Sequence, residues 1–153
     1  DRLVLLDMAV ARPVRAFATS GPEVTALAIS ADGLLLAAGR ADGGLEIWDL
    51  VACRMREEVP AAHTAAVTAV DFAWQAGDEE QLFSGGADGA VRLWHSHGGT
   101  PVRPSRRIAS LGLGPGKAAD GVVVGGRFTL ANLLIVAGVS NAPLYQTGVG
   151  PCQ

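Results

Sequence analysis

The chain has 153 residues, 49% of them hydrophobic, which suits one folded domain with a core and excludes wholesale disorder. Its net charge is −3 with 12 basic residues scattered along it, so it lacks the clustered Lys and Arg that sequence-independent nucleic-acid binding requires. Two cysteines, Cys53 and Cys152, match neither a metal-ligand spacing nor a disulfide framework, and point to free thiols in an intracellular compartment, cytoplasmic or nuclear.

The chain opens on "LVLLDMAVARPVRAF", where Asp7 interrupts the apolar run and argues against a signal peptide. Then come "VTALAIS", "LLLAAG", "LEIWDL" and "RMREEV", short alternating or apolar runs separated by Asp-Gly and Gly-Gly pairs that supply the positive φ of tight turns. They read as four strands. A second set follows as "VTAVDFAW", "QLFSGG" and "AVRLWHS", with a fourth run near "PVRPSRRI", where Pro101 and Pro104 suit an exposed outer strand. Beyond it lie a glycine-rich link, "SLGLGPGKAADG", and the stretch "VVVGGRFTLANLLIVAGVSNAPLYQT". The apolar run "LANLLIVAGV" is about half the ~20 residues a membrane-spanning helix needs, so no membrane partner is expected.

The two sets are copies of one unit. Val24-Thr25-Ala26 recurs as Val67-Thr68-Ala69, 43 residues later, and Ala41-Asp42-Gly43 recurs as Ala87-Asp88-Gly89, 46 residues later. The extra residues fit the polar stretch "AWQAGDEEQ". The opening "LVLLDMAVARPVRAF" lines up with "LEIWDLVACRMREEV", so the chain enters partway through a unit, and "LLIVAG" parallels "LLLAAG" near its end. The division expected is 1–17 as the last two strands of an incomplete unit, 18–59 and 60–107 as complete units, and 108–153 as link plus degraded unit or divergent tail.

Trp48-Asp49 closes the first copy and Trp94-His95 the second, with Ala62-His63, Ser84 and Asp88 ahead of Trp94. In these residues the chain resembles the WD-repeat β-propeller proteins. The resemblance implies an all-β fold, here a partial β-propeller of about three four-stranded antiparallel blades. For His63, Ser84, Asp88 and Trp94 it implies a buried hydrogen-bond chain that satisfies groups costly to bury alone. The first copy keeps Asp42 and Trp48 as a partial network, but has no histidine before its first strand and Ala38 in place of Ser84. It is expected to rely on packing alone.

Other chemistries fit less well. His63, Ser84 and Asp88 have the composition of a catalytic triad, yet "LFSGG" lacks the glycine two before the serine that a nucleophile elbow needs. His95 and His97 share a strand face without a carboxylate or cysteine beside them, so no metal is expected. Gly116-Lys117 is not a phosphate loop, because Leu111 and Ala118 replace its first glycine and its magnesium-binding hydroxyl. Arg103, Arg106 and Arg107 read as a solvated turn.

The function these features imply is a non-catalytic interaction scaffold that binds other proteins or peptides, with no cofactor and no direct nucleic-acid contact. The alternative is the propeller portion of an enzyme whose catalytic residues lie outside this chain. Interface energy concentrates in Trp, Tyr and Arg anchors, which makes Arg40 and Trp74 the candidate partner-binding residues. An arc of about three blades leaves apolar faces and a strand edge uncovered. A portion of a longer protein is the first expectation, and self-association that covers those faces the second.

Overall fold

The computed structural model describes residues 2–73, 79–97, 121–128 and 134–140. Among them the chain forms strands and no helix, arranged as four antiparallel sheets in which sequence neighbours pair. The first sheet pairs β1 (Arg2–Asp7) with β2 (Arg12–Ala18). In the second, β3 (Val24–Ile29), β4 (Leu35–Arg40), β5 (Leu45–Asp49) and β6 (Arg54–Val59) run in sequence order. The third has β7 (Val67–Phe72), β8 (Glu79–Gly86) and β9 (Val91–His97), and the fourth β10 (Gly121–Phe128) and β11 (Leu134–Ser140).

Side chains alternate across a strand, so each sheet can serve two interfaces. Leu35, Ala37, Leu45 and Ile47 of the second sheet pack on Val67, Val70, Leu82 and Trp94 of the third. The intervening Leu36, Ala38 and Trp48 face the other way, onto Leu3 and Phe17 of the first sheet. Phe17 and Trp48 meet as a tilted aromatic pair, ring centres 5.5 Å apart. On the far side of the third sheet, Phe83 lies so close to β10 that a Cβ on Gly126 would come within 2.4 Å of its ring. Each large apolar residue withdrawn from water in these layers contributes roughly 1.5–3 kcal/mol.

The "AWQAGDEEQ" insertion is shorter than its polarity suggests. Glu79 and Glu80 already belong to β8, because β9 extends to Ser96 and His97 and offers them ladder partners. The outer strand expected near "PVRPSRRI" (101–108), Trp74, the segment "APLYQT" (142–147), and the side chains of His95 and His97 lie outside the described residues.

Candidate functional site

The mid-blade turns and the loops before the first strands meet at one end of the sheets. The Ala41 amide donates to the Glu23 carbonyl, and Ala87 to Ala66, tying each turn to its own entry loop. The His63 amide donates to the Gly43 carbonyl at 2.9 Å, which joins the loop of the third sheet to the turn of the second. Gly43 has φ +86°, and a Cβ there would lie 2.2 Å from the His63 carbonyl oxygen, so conformation and proximity both require glycine.

In the third sheet four side chains form a continuous chain. The Trp94 indole donates to Ser84 Oγ at 2.9 Å, Ser84 lies 2.7 Å from His63 Nε2, and His63 Nδ1 lies 2.9 Å from Asp88 Oδ1. With the proton on Nδ1, the indole donates to the serine, the serine to Nε2 and Nδ1–H to the carboxylate; Arg92 Nη1, 2.6 Å from Nδ1 and itself a donor, then finds its acceptor in Asp88 Oδ2. Asp88 also accepts from the Thr64 and Ala90 amides and from Arg92 Nη1. Burial lowers the pKa of His63 below its ordinary value, with Asp88 opposing the shift and the nearby Arg92 charge adding to it, which favours the neutral imidazole. For Asp88 burial alone would raise the pKa, but hydrogen bonds from His63, Thr64 and Ala90 hold it well below the usual carboxylate range.

The second sheet carries a different chain between the same two ends. Trp48 Nε1 donates to Glu46 Oε2 at 2.9 Å, and Glu46 Oε1 accepts from Arg40 Nη1 at 2.9 Å. Arg40 then reaches Asp42 through Nε at 3.0 Å and Nη2 at 3.1 Å. Its Nη1 also donates to Ser20 Oγ and Glu58 Oε1, and Ser20 in turn donates to Glu46 through its amide and to Glu58 through its hydroxyl. Burial would depress the Arg40 pKa, but the bonds to Asp42, Glu58 and Glu46 raise it above the ordinary guanidinium value.

Two expectations are therefore corrected. The first copy does not rely on packing alone, since Arg40 and Glu46 replace the missing histidine and serine. Nor is Arg40 an exposed partner anchor, because it is only 3% exposed and wholly engaged by carboxylates. The ladder explains the replacement. Ala38 faces Glu46 where Ser84 faces Arg92, so the acceptor for the indole has moved across to the neighbouring strand. Arg40 holds the strand position of Gly86, and Ser20 the loop position of His63. Space is exchanged too: a Cβ on Gly86 would lie 2.3 Å from His63 Nδ1, and one on Gly21 2.7 Å from the Arg40 guanidinium.

No group of three or more His, Cys, Asp or Glu among the described residues is placed to hold a metal. The triad-like set gives no exposed nucleophile, because Ser84 is fully buried and its oxygen already accepts from Trp94.

Comparison with known proteins agrees with this geometry. A solved structure titled "Crystal structure of RRP9 WD40 repeats" superposes with a TM-score of 0.53 at 24% identity, covering 61% of this chain and 28% of that one. "Structure of U3-55K" gives 0.52 at 22% identity, covering 66% and 34%. The mouse (Mus musculus) "Telomerase protein component 1" is 33% identical over 132 residues, which is 82% of this chain and 5% of that protein. The chain thus spans a small part of the curated relative it matches. The family model described as "WD domain, G-beta repeat" matches residues 11–49 and 57–95, about half the chain, and the chain belongs to the WD40-repeat family.

Proposed function

We propose that the chain is a sector of a non-catalytic platform that binds other proteins through the end where the turns and entry loops meet. The supporting observation is that its most chemically suggestive residues are used internally. Ser84 cannot reach a substrate carbonyl while it is buried between Trp94 and His63, and the Arg40 guanidinium faces its own carboxylates. What this end offers outward is acidic: Glu23 is exposed, and the side chains of Asp42 and Glu58 are 39% and 34% exposed. Among the described residues of this end, Glu23, Asp42, Glu46, Glu58 and Asp88 outnumber Arg40 and Arg92, an excess of negative charge that suits a protein segment bearing Lys or Arg and disfavours a phosphate backbone.

No helix among the described residues is long and apolar enough to cross a membrane. Cys53 is exposed and unpaired, in keeping with an intracellular setting. Peptides differing only in charge, titrated against the chain at two salt concentrations, test the reading. Basic peptides are expected to bind, more weakly at high salt and after Glu23→Gln with Glu58→Gln. Equal binding of acidic and basic peptides would overturn the charge preference. Labelling of Ser84 by a serine-hydrolase reagent would overturn the non-catalytic assignment.

A further inference from the structure

The entry loop of the second sheet, residues 19–23 between β2 and β3, sets a modifiable hydroxyl against a buried ion network. Ser20 is exposed, yet its polar atoms reach inward. Its amide donates to Glu46 Oε1 at 2.9 Å, its hydroxyl donates to Glu58 Oε1 at 2.7 Å, and its oxygen accepts from Arg40 Nη1 at 2.6 Å. In the third sheet the same loop position is His63, which is buried and carries no hydroxyl.

A protein kinase needs a hydroxyl it can reach on a segment outside the ladders, and it selects that hydroxyl by the charges around it. Among the described side chains, the exposed ones with hydroxyls are Ser20, Thr25 and Thr64. Three positions after them stand Glu23, Ala28 and Val67, so of the three only Ser20 is followed by a carboxylate at that spacing. Thr68 has Asp71 there, but it is half-buried within β7 and its hydroxyl is committed to the Gly85 carbonyl. Glu23 is itself exposed, and Gly21 and Pro22 lie with Ser20 outside any strand. The loop can therefore present Ser20 without opening a ladder.

We propose that Ser20 is a phosphorylation site, modified by an acid-directed serine kinase with ATP as phosphoryl donor, and that the phosphate detaches the entry loop from Arg40 and Glu46. Ser20 Oγ bonds to the γ-phosphorus as the bond from that phosphorus to the β,γ-bridging oxygen breaks; ADP leaves with the electron pair, and the hydroxyl proton passes to solvent. The ester oxygen keeps no hydrogen for Glu58. The phosphate also brings roughly two negative charges at neutral pH against Glu46 and Glu58. Hydrogen bonds from Arg40 and Ser20 hold Glu58 below the usual carboxylate range, so it meets the phosphate ionised. If the phosphate stays in place it competes with both glutamates for one guanidinium, and if it moves to water it draws the Ser20 amide away from Glu46. Either way Glu46, which is wholly buried, loses a donor. The inference goes beyond the scaffold reading and does not depend on it, because the loop carries the hydroxyl whether or not this end binds a partner.

Incubation of the chain with a purified acid-directed serine kinase and ATP, followed by mass-spectrometric mapping, tests the site. Phosphate is expected on Ser20, none at that loop after Ser20→Ala, and several-fold less after Glu23→Gln, which leaves the hydroxyl and its partners in place. Hydrogen exchange then tests the consequence. In residues 19–23 and β3–β6 the phosphorylated chain should exchange several-fold faster than Ser20→Ala, which removes the hydroxyl without adding charge, while β7–β9 change much less. No incorporation, incorporation mainly at another residue, or indifference to Glu23→Gln would overturn the site. Exchange no faster than in Ser20→Ala would overturn the detachment.

Discussion

Asp42 and Asp88 brace equivalent turns, and Trp48 and Trp94 sit at equivalent strand positions, yet the side chains between them share nothing. The third sheet bridges the gap with a neutral imidazole from a loop and a hydroxyl from β8. The second bridges it with a guanidinium and a carboxylate, both carried by the sheet itself. What the blade requires is an acceptor for a buried indole N–H, a donor for the turn carboxylate, and enough atoms to fill the space. Residue identity is free provided those demands are met together, which is why Gly86 accompanies His63 while Gly21 and Gly44 surround Arg40.

Substitutions can break or sharpen that comparison. The largest effect is expected from Arg40→Ala, which strands the fully buried Glu46 without its cation and should cost about 3–5 kcal/mol in urea unfolding. Arg40→Met with Glu46→Leu together should cost much less than either charge removed alone. Next is Asp88→Ala, about 2 kcal/mol or more, because His63 and two backbone amides lose their acceptor, against about 1 for Asp42→Ala, whose arginine keeps Glu46 and Glu58. Equal losses would show that the two chains are not differently built.

Acid should separate the blades without any substitution. The folded His63 pKa lies below its ordinary value of 6.5, so between those values the unfolded chain binds the extra proton and stability falls as pH drops below about 6.5. Arg40 does not titrate there. Its partners Glu58 and Asp42, both lowered, release their contribution only as pH falls below their ordinary values of 4.5 and 3.8. Hydrogen exchange at descending pH should therefore show β7–β9 losing protection before β3–β6, and His63→Gln should remove the first step. The smallest effect expected is from Ser20→Ala, about 1 kcal/mol or less, since Arg40 retains three carboxylates without the hydroxyl.

The sheet pattern was legible because period-two alternation and Asp-Gly turns mark strands locally, and the third sheet's chain was legible because His63, Ser84, Asp88 and Trp94 match a family motif. The second sheet's chain was not. Nothing local marks an arginine ending one strand and a glutamate near the start of the next as buried partners, since burial of either alone is prohibitive. Their partnership depends on ladder register, which sets Glu46 opposite Ala38 and brings the Arg40 head group back over it. A signal was present in the alignment: each copy has one large polar side chain where the other has glycine or serine.

The two polar chains also differ in the length of polypeptide they enclose. Arg40 finds Asp42 two residues away and Glu46 six, and Trp48 is two beyond Glu46, so this chain assembles within one hairpin. His63 must meet Ser84 and Asp88 across 21 and 25 residues. Loop closure precedes any gain from such distant contacts, so local structure forms first. On this ground the second sheet is expected to form before the third, which the Gly43 carbonyl joins to it through the His63 amide. Kinetically, Glu46→Gln should act chiefly by slowing folding and Asp88→Asn by hastening unfolding, a contrast that stopped-flow chevrons would resolve.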